Sequence, residues 1–142
     1  LCNQICFSLY TAHKVFGRAY QRLLSELSLT YPQFLVMLCL WQKDSVTVSE
    51  LCVLLGLDTG TMSPLLKKLE SKKLISRVRS TTDERKLLIT LTAEGFKLHK
   101  TAAPIKKIMI KQSGFSHKEL EQVKRSLELL TENLSKIDSD SE

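Results

Sequence analysis

The spacing of apolar and polar residues predicts a mainly helical chain. Apolar side chains recur at helical intervals over residues 2–27, and the segment QFLVMLCLWQ is apolar nearly all round, as in a helix buried inside a bundle. Pro32 suits the first turn of that second helix. A last helix to about Ile137 carries leucine and valine at spacings of three and four residues.

Two short helices are predicted between these longer ones. Thr47 and Glu50 have the spacing of a capping box, and Gly56 is suited to end the helix that they begin. Asp58 has the side chain of an N-cap for a following helix over residues 59–72.

A β-hairpin is predicted next, because LISRVRS and KLLITLT are rich in β-branched and apolar residues and flank the polar segment TTDER. Two short helices joined by a tight turn and followed by a hairpin form a winged helix-turn-helix, whose second helix enters the major groove of DNA. The segment AEGFKLHKTAAPIKKIMIKQ then resumes the helical pattern, with a kink expected at Pro104. The predicted fold class is therefore mainly α with a small β-hairpin wing.

The length of 142 residues corresponds to one domain. Residues 31–92 form the predicted winged helix-turn-helix reader, and the helical segments 1–30 and 93–137 flank it. Both flanking segments are long and amphipathic, so one copy of the chain cannot easily bury both apolar stripes. They predict a two-fold homodimer held by its N- and C-terminal helices, and the acidic residues 138–142 predict a disordered tail.

The formal net charge of +6 is concentrated in one part of the chain. Residues 58–100 contain ten lysines or arginines and five acidic residues, so this segment carries five of the six charges. A local basic patch fits a polyanionic partner, although a solvated charged surface has the same composition. The longest apolar run is eight residues and no signal peptide is visible, so the sequence predicts a soluble, cytoplasmic protein without a membrane partner.

Candidate DNA contacts lie at the start of the predicted helix 59–72 and at the hairpin tip. The first residues of this helix are small and polar, and a helix N-terminus favours a phosphate by itself. Lys67 and Lys68 supply charge without sequence information. Arg85 at the tip suits a narrow minor groove, and Asp83 either orients its guanidinium or only solvates the tip.

The four cysteines, at positions 2, 6, 39 and 52, include no C-x-x-C pair, and the three histidines lie far from them in sequence. This spacing argues against a zinc site, so no cofactor is expected. A disulfide scaffold is not expected in a cytosolic chain of this size. Cys39 and Cys52 are predicted to be core residues. The pattern leaves Cys6 open, either as a small core residue or as a reactive thiol.

The segment SVTVSELCVLLGLDTGTMSPLLKKLESKKLISRVRSTTDERKLLITLTAEG resembles the DNA-binding core of the MarR family of bacterial transcription regulators, and DERKLLITLT is its most specific piece. The segments NQICFSLYTAHKVFGRAY and LTYPQFLVMLCLW resemble the organic-hydroperoxide-sensing, OhrR-like branch of that family. The resemblance extends from about Asn3 to about Ile137 and is weakest over PIKKIMIKQSGF.

The resemblance implies roles for one cysteine and three tyrosines of the first two helices. The peroxide-sensing cysteine of the branch matches Cys6. Two tyrosines that hydrogen-bond the sensor from the partner subunit match Tyr20 and Tyr31, and a third nearby tyrosine matches Tyr10. Phenolic O–H groups at these positions are expected to stabilise the thiolate that attacks the peroxide and then the sulfenate.

The resemblance also implies DNA contacts and a pocket for the oxidant. The family's DNA contacts match Thr59, Gly60, Thr61, Ser63, Pro64, Lys68, Arg77, Asp83 and Arg85. Lysine stands at position 68 where arginine is common, which weakens a bidentate contact. An apolar pocket lined by Phe7, Phe16 and the helix around Phe34 is expected to admit alkyl or lipid hydroperoxides.

The implied function is that of a repressor controlled by oxidation. The reduced dimer binds a pseudo-palindromic operator in double-stranded DNA and releases it when an organic hydroperoxide oxidises Cys6. No cysteine follows Cys52, so the chain resembles one-cysteine sensors, whose sulfenate is trapped as a mixed disulfide with a low-molecular-weight thiol or is over-oxidised. Cys2 lies one helical turn from Cys6, and a disulfide between them requires the helix end to fray.

Other functions fit parts of the same pattern. A small aromatic ligand, rather than oxidation, is the signal of other MarR-type regulators, and some members of the branch are broad regulators of virulence or biofilm. A thiol peroxidase is a third possibility. The basic wing and the missing resolving cysteine argue against turnover, so the chain is not expected to be an enzyme.

Overall fold

The computed structural model describes residues 4–80, 83 and 86–139. Cys2 and Arg85 lie outside this described part of the chain. The elements are, in order, α1 (Ile5–Leu24), α2 (Tyr31–Gln42), β1 (Val46–Thr47), α3 (Val48–Leu55), α4 (Thr59–Ser71), β2 (Ile75–Arg79), β3 (Leu87–Leu91), α5 (Ala93–Ser113) and α6 (His117–Ser139).

The predicted helices are confirmed, with changes at their ends. α1 ends at Leu24, three residues early, because the chain turns back on itself and Ser28 takes a positive φ of 53°. α5 continues through Pro104 without a break. α6 includes residues 138 and 139, which the sequence assigned to a disordered tail, because no proline or glycine interrupts the helical pattern there; residues 140–142 lie outside the described part.

Capping boxes begin three of the helices. The predicted capping box of α3 is present: the backbone N–H of Glu50 donates to Thr47 Oγ1 at 3.2 Å, and the Thr47 N–H donates to Glu50 Oε2 at 2.7 Å. A second box, Ser116 with Glu119, precedes α6. Thr30 and Gln33 form a box at the start of α2 that the sequence analysis missed.

The predicted hairpin is confirmed and is joined by a third strand. β2 and β3 pair antiparallel, with Ile75 opposite Leu91, and β1 pairs with the other edge of β3, with Val46 opposite Ile89. Asp44 Oδ1 accepts the backbone N–H of Leu91 at 2.8 Å and so fixes the segment that leads into β1. The sequence did not predict β1, because two residues are too few to show a strand period.

The core of the reader forms around α2, as its apolar sequence predicted. This helix contacts α1, α3, α4 and β3. Its buried apolar residues are Phe34, Val36, Met37 and Leu40. The buried residues of the neighbouring elements include Leu24, Leu51, Met62, Leu66, Leu69 and Ile89. Each of these side chains contributes about 1.5–3 kcal/mol through burial.

The chain divides into two compact units between Ile105 and Lys106. This division falls inside the predicted flanking segment 93–137 rather than at its start. The first turns of α5 belong to the reader unit because Gly95 lies against the backbone of Leu74, where a Cβ at position 95 would stand 2.1 Å from the carbonyl oxygen. Glycine is therefore required where α5 leaves the sheet.

Much apolar surface of the two end helices is exposed within one copy of the chain. On α1, Leu24 is the one buried side chain among the described residues, and α6 has none. The exposed apolar residues of these helices include Ile5, Phe7, Val15, Phe16, Val123, Leu127, Leu129, Leu134 and Ile137. Large exposed apolar patches mark protein–protein interfaces, so these side chains are candidates for such a contact.

Replacing Gly95 with alanine tests the close contact with Leu74. The new methyl group must displace backbone, so Gly95→Ala is expected to lower the free energy of unfolding by about 2–3 kcal/mol. Urea denaturation followed by circular dichroism measures the change. Thr101→Ala on the exposed side of the same helix is the control and should stay within about 0.5 kcal/mol of wild type. A Gly95→Ala protein as stable as the control contradicts the close packing.

Candidate functional site

The N-terminus of α4 is occupied by the side chain of Asp58. Its Oδ1 accepts the backbone N–H of Thr61 at 2.8 Å, and its Oδ2 accepts the Thr61 hydroxyl at 2.8 Å. The backbone hydrogen bond from Thr61, followed by the hydroxyl bond, holds the pKa of the Asp58 carboxyl below its ordinary value. The helix therefore begins with a fixed negative charge, which opposes the phosphate site expected there.

All seven candidate contact residues of α4, from Thr59 to Lys68, are exposed, whereas Met62, Leu66 and Leu69 are buried. The Ser63 hydroxyl donates to the Thr59 carbonyl oxygen at 2.8 Å. The hydroxyl protons of Ser63 and Thr61 are thus already used within the helix, and both oxygens are left as acceptors. Gly60 and Pro64 complete a surface that carries no bulky side chain until the lysines at 67 and 68.

Arg77 on β2 is held by an acid of the recognition helix. Its Nε lies 3.1 Å from Glu70 Oε2, and both side chains are partly exposed. The pair fixes the last turn of α4 against the hairpin and leaves the outer edge of the guanidinium accessible. No local sequence pattern indicates Glu70, because only the packing of α4 on β2 brings it to Arg77.

The hairpin tip is described at two positions. Asp83 is half-buried, its carbonyl oxygen accepts the Lys86 N–H at 2.9 Å, and its Oδ2 lies 3.9 Å from Lys86 Nζ. Arg85 lies outside the described residues, so its predicted role beside Asp83 stays a prediction. Lys67, Lys68, Lys73 and Arg79 form no ion pair within the part of the chain that the structure describes.

Cys6 is exposed at the second residue of α1. Its Sγ lies 3.7 Å from Gln4 Oε1. Gln4 is the N-cap residue, yet its side chain caps no backbone N–H, and the first turn contains no acid. An uncapped helix N-terminus carries a partial positive charge, and Cys6 lies in its first turn. The exposure of Cys6 excludes the interpretation of a small core residue within one copy of the chain.

Tyr20 and Tyr31 lie together in a cluster of rings. The ring centroids of these two tyrosines are 4.8 Å apart, and Tyr20 also contacts Phe16 at 4.9 Å and Phe34 at 5.9 Å. Burial, with a smaller contribution from Tyr31, raises the pKa of Tyr20, and burial raises the pKa of Tyr31. Both phenols therefore remain protonated hydrogen-bond donors at neutral pH. Neither hydroxyl has a partner among the described residues.

Cys6 and Tyr20 of one copy cannot meet. They are separated by fourteen residues of one continuous helix, or about 21 Å at 1.5 Å per residue. Tyr10 is one turn from Cys6, but its hydroxyl accepts from Lys14 Nζ at 3.4 Å and the ammonium lies 5.1 Å from its ring centroid, so it contacts the residue on the far side. Of the predicted pocket, Phe16 and the α2 residue Phe34 join the tyrosine cluster, whereas Phe7 is exposed in the first turns of α1.

The remaining cysteines are less accessible. Cys39 and Cys52 are of intermediate burial, not fully buried as a core assignment requires, and burial raises the pKa of the Cys39 thiol. Among the described residues, no group of three or more histidines, cysteines or acids is placed to hold a metal ion. No described helix combines the length and apolarity needed to cross a membrane.

The fold and the exposed surface of α4 define a winged-helix protein with a reader helix and an accessible cysteine. The family model of the transcriptional regulator SarA/Rot matches residues 18–102. The chain is 41% identical over 132 residues, 93% of its length, to the organic hydroperoxide resistance transcriptional regulator of Bacillus subtilis, and covers 90% of that protein. The chain belongs to the SarA/Rot family of MarR-like winged-helix transcriptional regulators, and its resemblance to the OhrR-like branch is confirmed.

Two further relatives agree. The chain is 38% identical over 128 residues, 89% of its length, to the regulator MgrA of Staphylococcus aureus, and covers 87% of that protein. Reduced AbfR of Staphylococcus epidermidis bound to DNA has a TM-score of 0.81 and 32% identity, with 94% of this chain and 93% of that chain covered. The disulfide form of AbfR gives a TM-score of 0.67 at 31% identity, with 92% and 91% covered.

The pH dependence of stability tests the role of the Glu50 carboxylate, which caps α3, the helix before α4. The backbone hydrogen bond from Thr47 lowers the pKa of Glu50 to about 2. A lowered pKa stabilises the fold above the ordinary carboxyl range, and this contribution is lost as the pH falls from about 4.5 towards 2. The urea midpoint of wild type should therefore fall more between pH 5 and pH 2.5 than that of Glu50→Gln, which keeps the cap without the charge. Parallel curves contradict a role for the charge.

Proposed function

We propose that this protein is a cytoplasmic, homodimeric transcriptional repressor that senses organic hydroperoxides. Reduced protein binds a pseudo-palindromic operator, and oxidation of Cys6 releases it. The observation that carries the proposal is the position of Cys6 at an exposed, uncapped and acid-free helix N-terminus in a chain that also displays an accessible recognition helix. Similarity to the hydroperoxide resistance regulator of Bacillus subtilis supports this assignment.

DNA recognition is assigned to α4 and the wing. The exposed residues from Thr59 to Pro64 permit close approach to base edges, and Lys67 and Lys68 neutralise phosphates. Arg77 on β2 is assigned to the phosphate backbone of DNA, which it contacts with the guanidinium nitrogens that are not paired with Glu70. The reduced AbfR and MepR structures with DNA, whose folds match this chain at a TM-score of 0.81 each, support this placement.

Homodimerisation explains the exposed apolar faces of α1 and α6. A two-fold axis places two copies of α4 on one side of the dimer, about one helical turn of DNA apart or a multiple of it. The dimer also completes the sensor. Because Tyr20 of the same copy is about 21 Å from Cys6 along α1, the hydrogen bonds to the sulfur come from the partner subunit's Tyr20 and the partner subunit's Tyr31.

The redox step needs only the Cys6 thiolate and the hydroperoxide. The sulfur attacks the terminal peroxide oxygen, an S–O bond forms, the O–O bond breaks, and the alkoxide takes a proton and leaves as an alcohol. Cys6 becomes a sulfenic acid and the peroxide is reduced by two electrons. Phenolic donors with raised pKa values stabilise the thiolate before the step and the sulfenate after it, because they do not themselves ionise.

A low-molecular-weight thiol is the partner proposed for the second step. Its sulfur attacks the sulfenic sulfur, a mixed disulfide forms, and water leaves. Cys39 and Cys52 are partly buried within the reader unit, and no cysteine occurs after Cys52. The described residues therefore supply no accessible thiol, and no C-terminal one, that could resolve the sulfenic acid. Without an external thiol, further peroxide carries Cys6 to irreversible sulfinic or sulfonic acid.

Two alternative functions make different predictions. A regulator released by a small aromatic ligand needs no thiol, and the groove of about 490 Å³ that Gly17, Gln21, Leu29 and Tyr31 help to line gives it a candidate site. A peroxidase would turn over with a thiol reductant, whereas a repressor consumes about one peroxide per oxidised subunit. The relatives are transcriptional regulators, which favours a protein that is not an enzyme. A broad regulator of virulence or biofilm would use the same chemistry at Cys6.

The first experiment compares wild type with Cys6→Ser on a labelled duplex from upstream of the protein's own gene. We expect wild type to lose roughly 5–150-fold in affinity after treatment with cumene hydroperoxide and a small thiol, the usual range for coupled sites. Cys6→Ser should bind like reduced wild type and keep its affinity. Cys52→Ser is the matched control and should respond like wild type. Fluorescence anisotropy measures binding, and mass spectrometry identifies the adduct.

The same experiment separates the alternatives. Release of both wild type and Cys6→Ser by a small aromatic acid, with no response to peroxide, supports the ligand-controlled function instead. Sustained consumption of many peroxide equivalents per subunit supports the enzyme.

Salt dependence tests the assignment of Lys68 to a phosphate. Loss of one phosphate contact should reduce the slope of log affinity against log salt concentration by about 0.9 and weaken binding to all sequences alike. Lys68→Ala measured between 50 and 200 mM salt gives this slope. Lys118→Ala, on the exposed start of α6, is the control and should retain the wild-type slope. An unchanged slope for Lys68→Ala means that this ammonium does not contact the backbone.

A further inference from the structure

A line of neighbouring aromatic rings, in tilted and edge-to-face pairs, runs through the reader unit from the tyrosine cluster to α5. Tyr20 contacts Phe34 with ring centroids 5.9 Å apart, and Phe34 contacts Trp41 at 6.0 Å. Trp41 stands at the other end of α2 and lies 5.0 Å from the ring of His99 on α5. The proposed sensor tyrosines are thus connected to α5 by rings in direct contact, with no flexible side chain between them.

Trp41 is also bonded to the backbone where α5 begins. Its Nε1–H donates to the carbonyl oxygen of Gly95 at 2.9 Å. This bond joins positions 54 residues apart in sequence and is partly buried. A hydrogen bond is directional, so it fixes the rotation of the indole relative to α5 as well as its distance.

At the start of α5, Thr92 and Gly95 contact Lys73 and Leu74. This set of contacts, called the joint below, connects the two ends of the β2–β3 hairpin. Gly95 packs on the Leu74 carbonyl, which also accepts the Thr92 N–H at 3.1 Å. The Thr92 hydroxyl donates to the Lys73 carbonyl at 2.5 Å and accepts the Gly95 N–H at 3.1 Å. The chain therefore cannot move at Gly95 without moving the end of α4, the start of β2 and the end of β3.

We propose that Trp41 is the positioning residue that couples oxidation at the sensor to the orientation of the reader. This inference rests on the proposed function. Phe34 in the middle of the line is buried, and close-packed side chains transmit displacement because they have few voids to move into. When Cys6 carries an oxygen or a mixed disulfide, the tyrosines that contact it change position. The displacement passes through Phe34 to Trp41 and, through the Nε1–H bond, to the joint at Gly95.

Trp41→Phe tests this coupling, since it keeps an aromatic ring and removes the donor. Reduced Trp41→Phe should bind the operator within about threefold of reduced wild type. Its loss of affinity on oxidation should be smaller than that of wild type by about fivefold, the factor expected for one partly buried hydrogen bond. Lys100→Ala, an exposed change on the same helix, should leave the loss of affinity unchanged.

The chain contains a single tryptophan, so intrinsic fluorescence reports on Trp41 alone. At one fixed pH, the emission of wild type should shift when the hydroperoxide oxidises the protein, and the emission of Cys6→Ser should not. His99→Ala removes the stacked ring but keeps the fluorophore. It should change the emission of the reduced state and reduce the loss of affinity on oxidation, which keeps the test available if Trp41→Phe does not fold.

The outcomes distinguish the coupling from the sensing function. If wild type keeps its DNA after peroxide, the proposed sensing is wrong and the coupling is overturned with it. If wild type releases DNA and Cys6→Ser does not, sensing stands. An unchanged Trp41 emission on oxidation, or a full release by Trp41→Phe and His99→Ala, then overturns the coupling alone.

Discussion

The burial of α2 is the constraint on which the rest of the reader depends. This helix contacts α1, α3, α4 and β3, so it sets the positions of both the recognition helix and the sheet. Its one buried polar side chain, Gln33, is satisfied by the Thr30 N–H at 3.1 Å and by Lys72 Nζ at 3.3 Å. Lys72 also donates to the Ser28 carbonyl. The end of α4 is thereby tied to the turn before α2, and an unpaired polar group in the core is avoided.

The helices at the two ends of the chain are not buried in this way within one copy. α1 and α6 expose a large part of their apolar side chains, and large exposed apolar patches usually mark a surface that binds a partner. The aromatic cluster of α1 and α2 is only half-buried, with two phenols that find no partner among the described residues. One copy of the chain therefore contains a complete reader but incomplete surfaces around its cysteine. The incompleteness and the family relationship both favour assembly of two copies.

The features of this structure that could be predicted from the sequence are those set by interactions between residues close together in the chain. The ends of α3 and the start of α4 were predicted because Thr47, Glu50, Gly56 and Asp58 act on backbone atoms within four residues. β1 was missed because it has two residues and exists only through pairing with β3. The bond from Trp41 to Gly95 joins positions 54 residues apart, and the ion pair of Glu70 with Arg77 forms only because α4 packs on β2, so no sequence period indicates either contact. The Asp58 cap was predicted, yet its effect on phosphate binding was not, because that required its hydrogen bonds with Thr61.

The position of the cysteine has a consequence for the proposed sensor. In a single copy, Cys6 has the Gln4 side chain and the helix N-terminus near it, while Tyr20 is about four turns away along α1. In the proposed sensor, the groups assigned to stabilise the thiolate and sulfenate are therefore complete only after dimerisation. Binding to a two-fold operator requires the same dimer. If the sensor is built this way, the species that reacts most readily with peroxide is the species that occupies DNA, and an isolated subunit is both a poor repressor and a poor sensor.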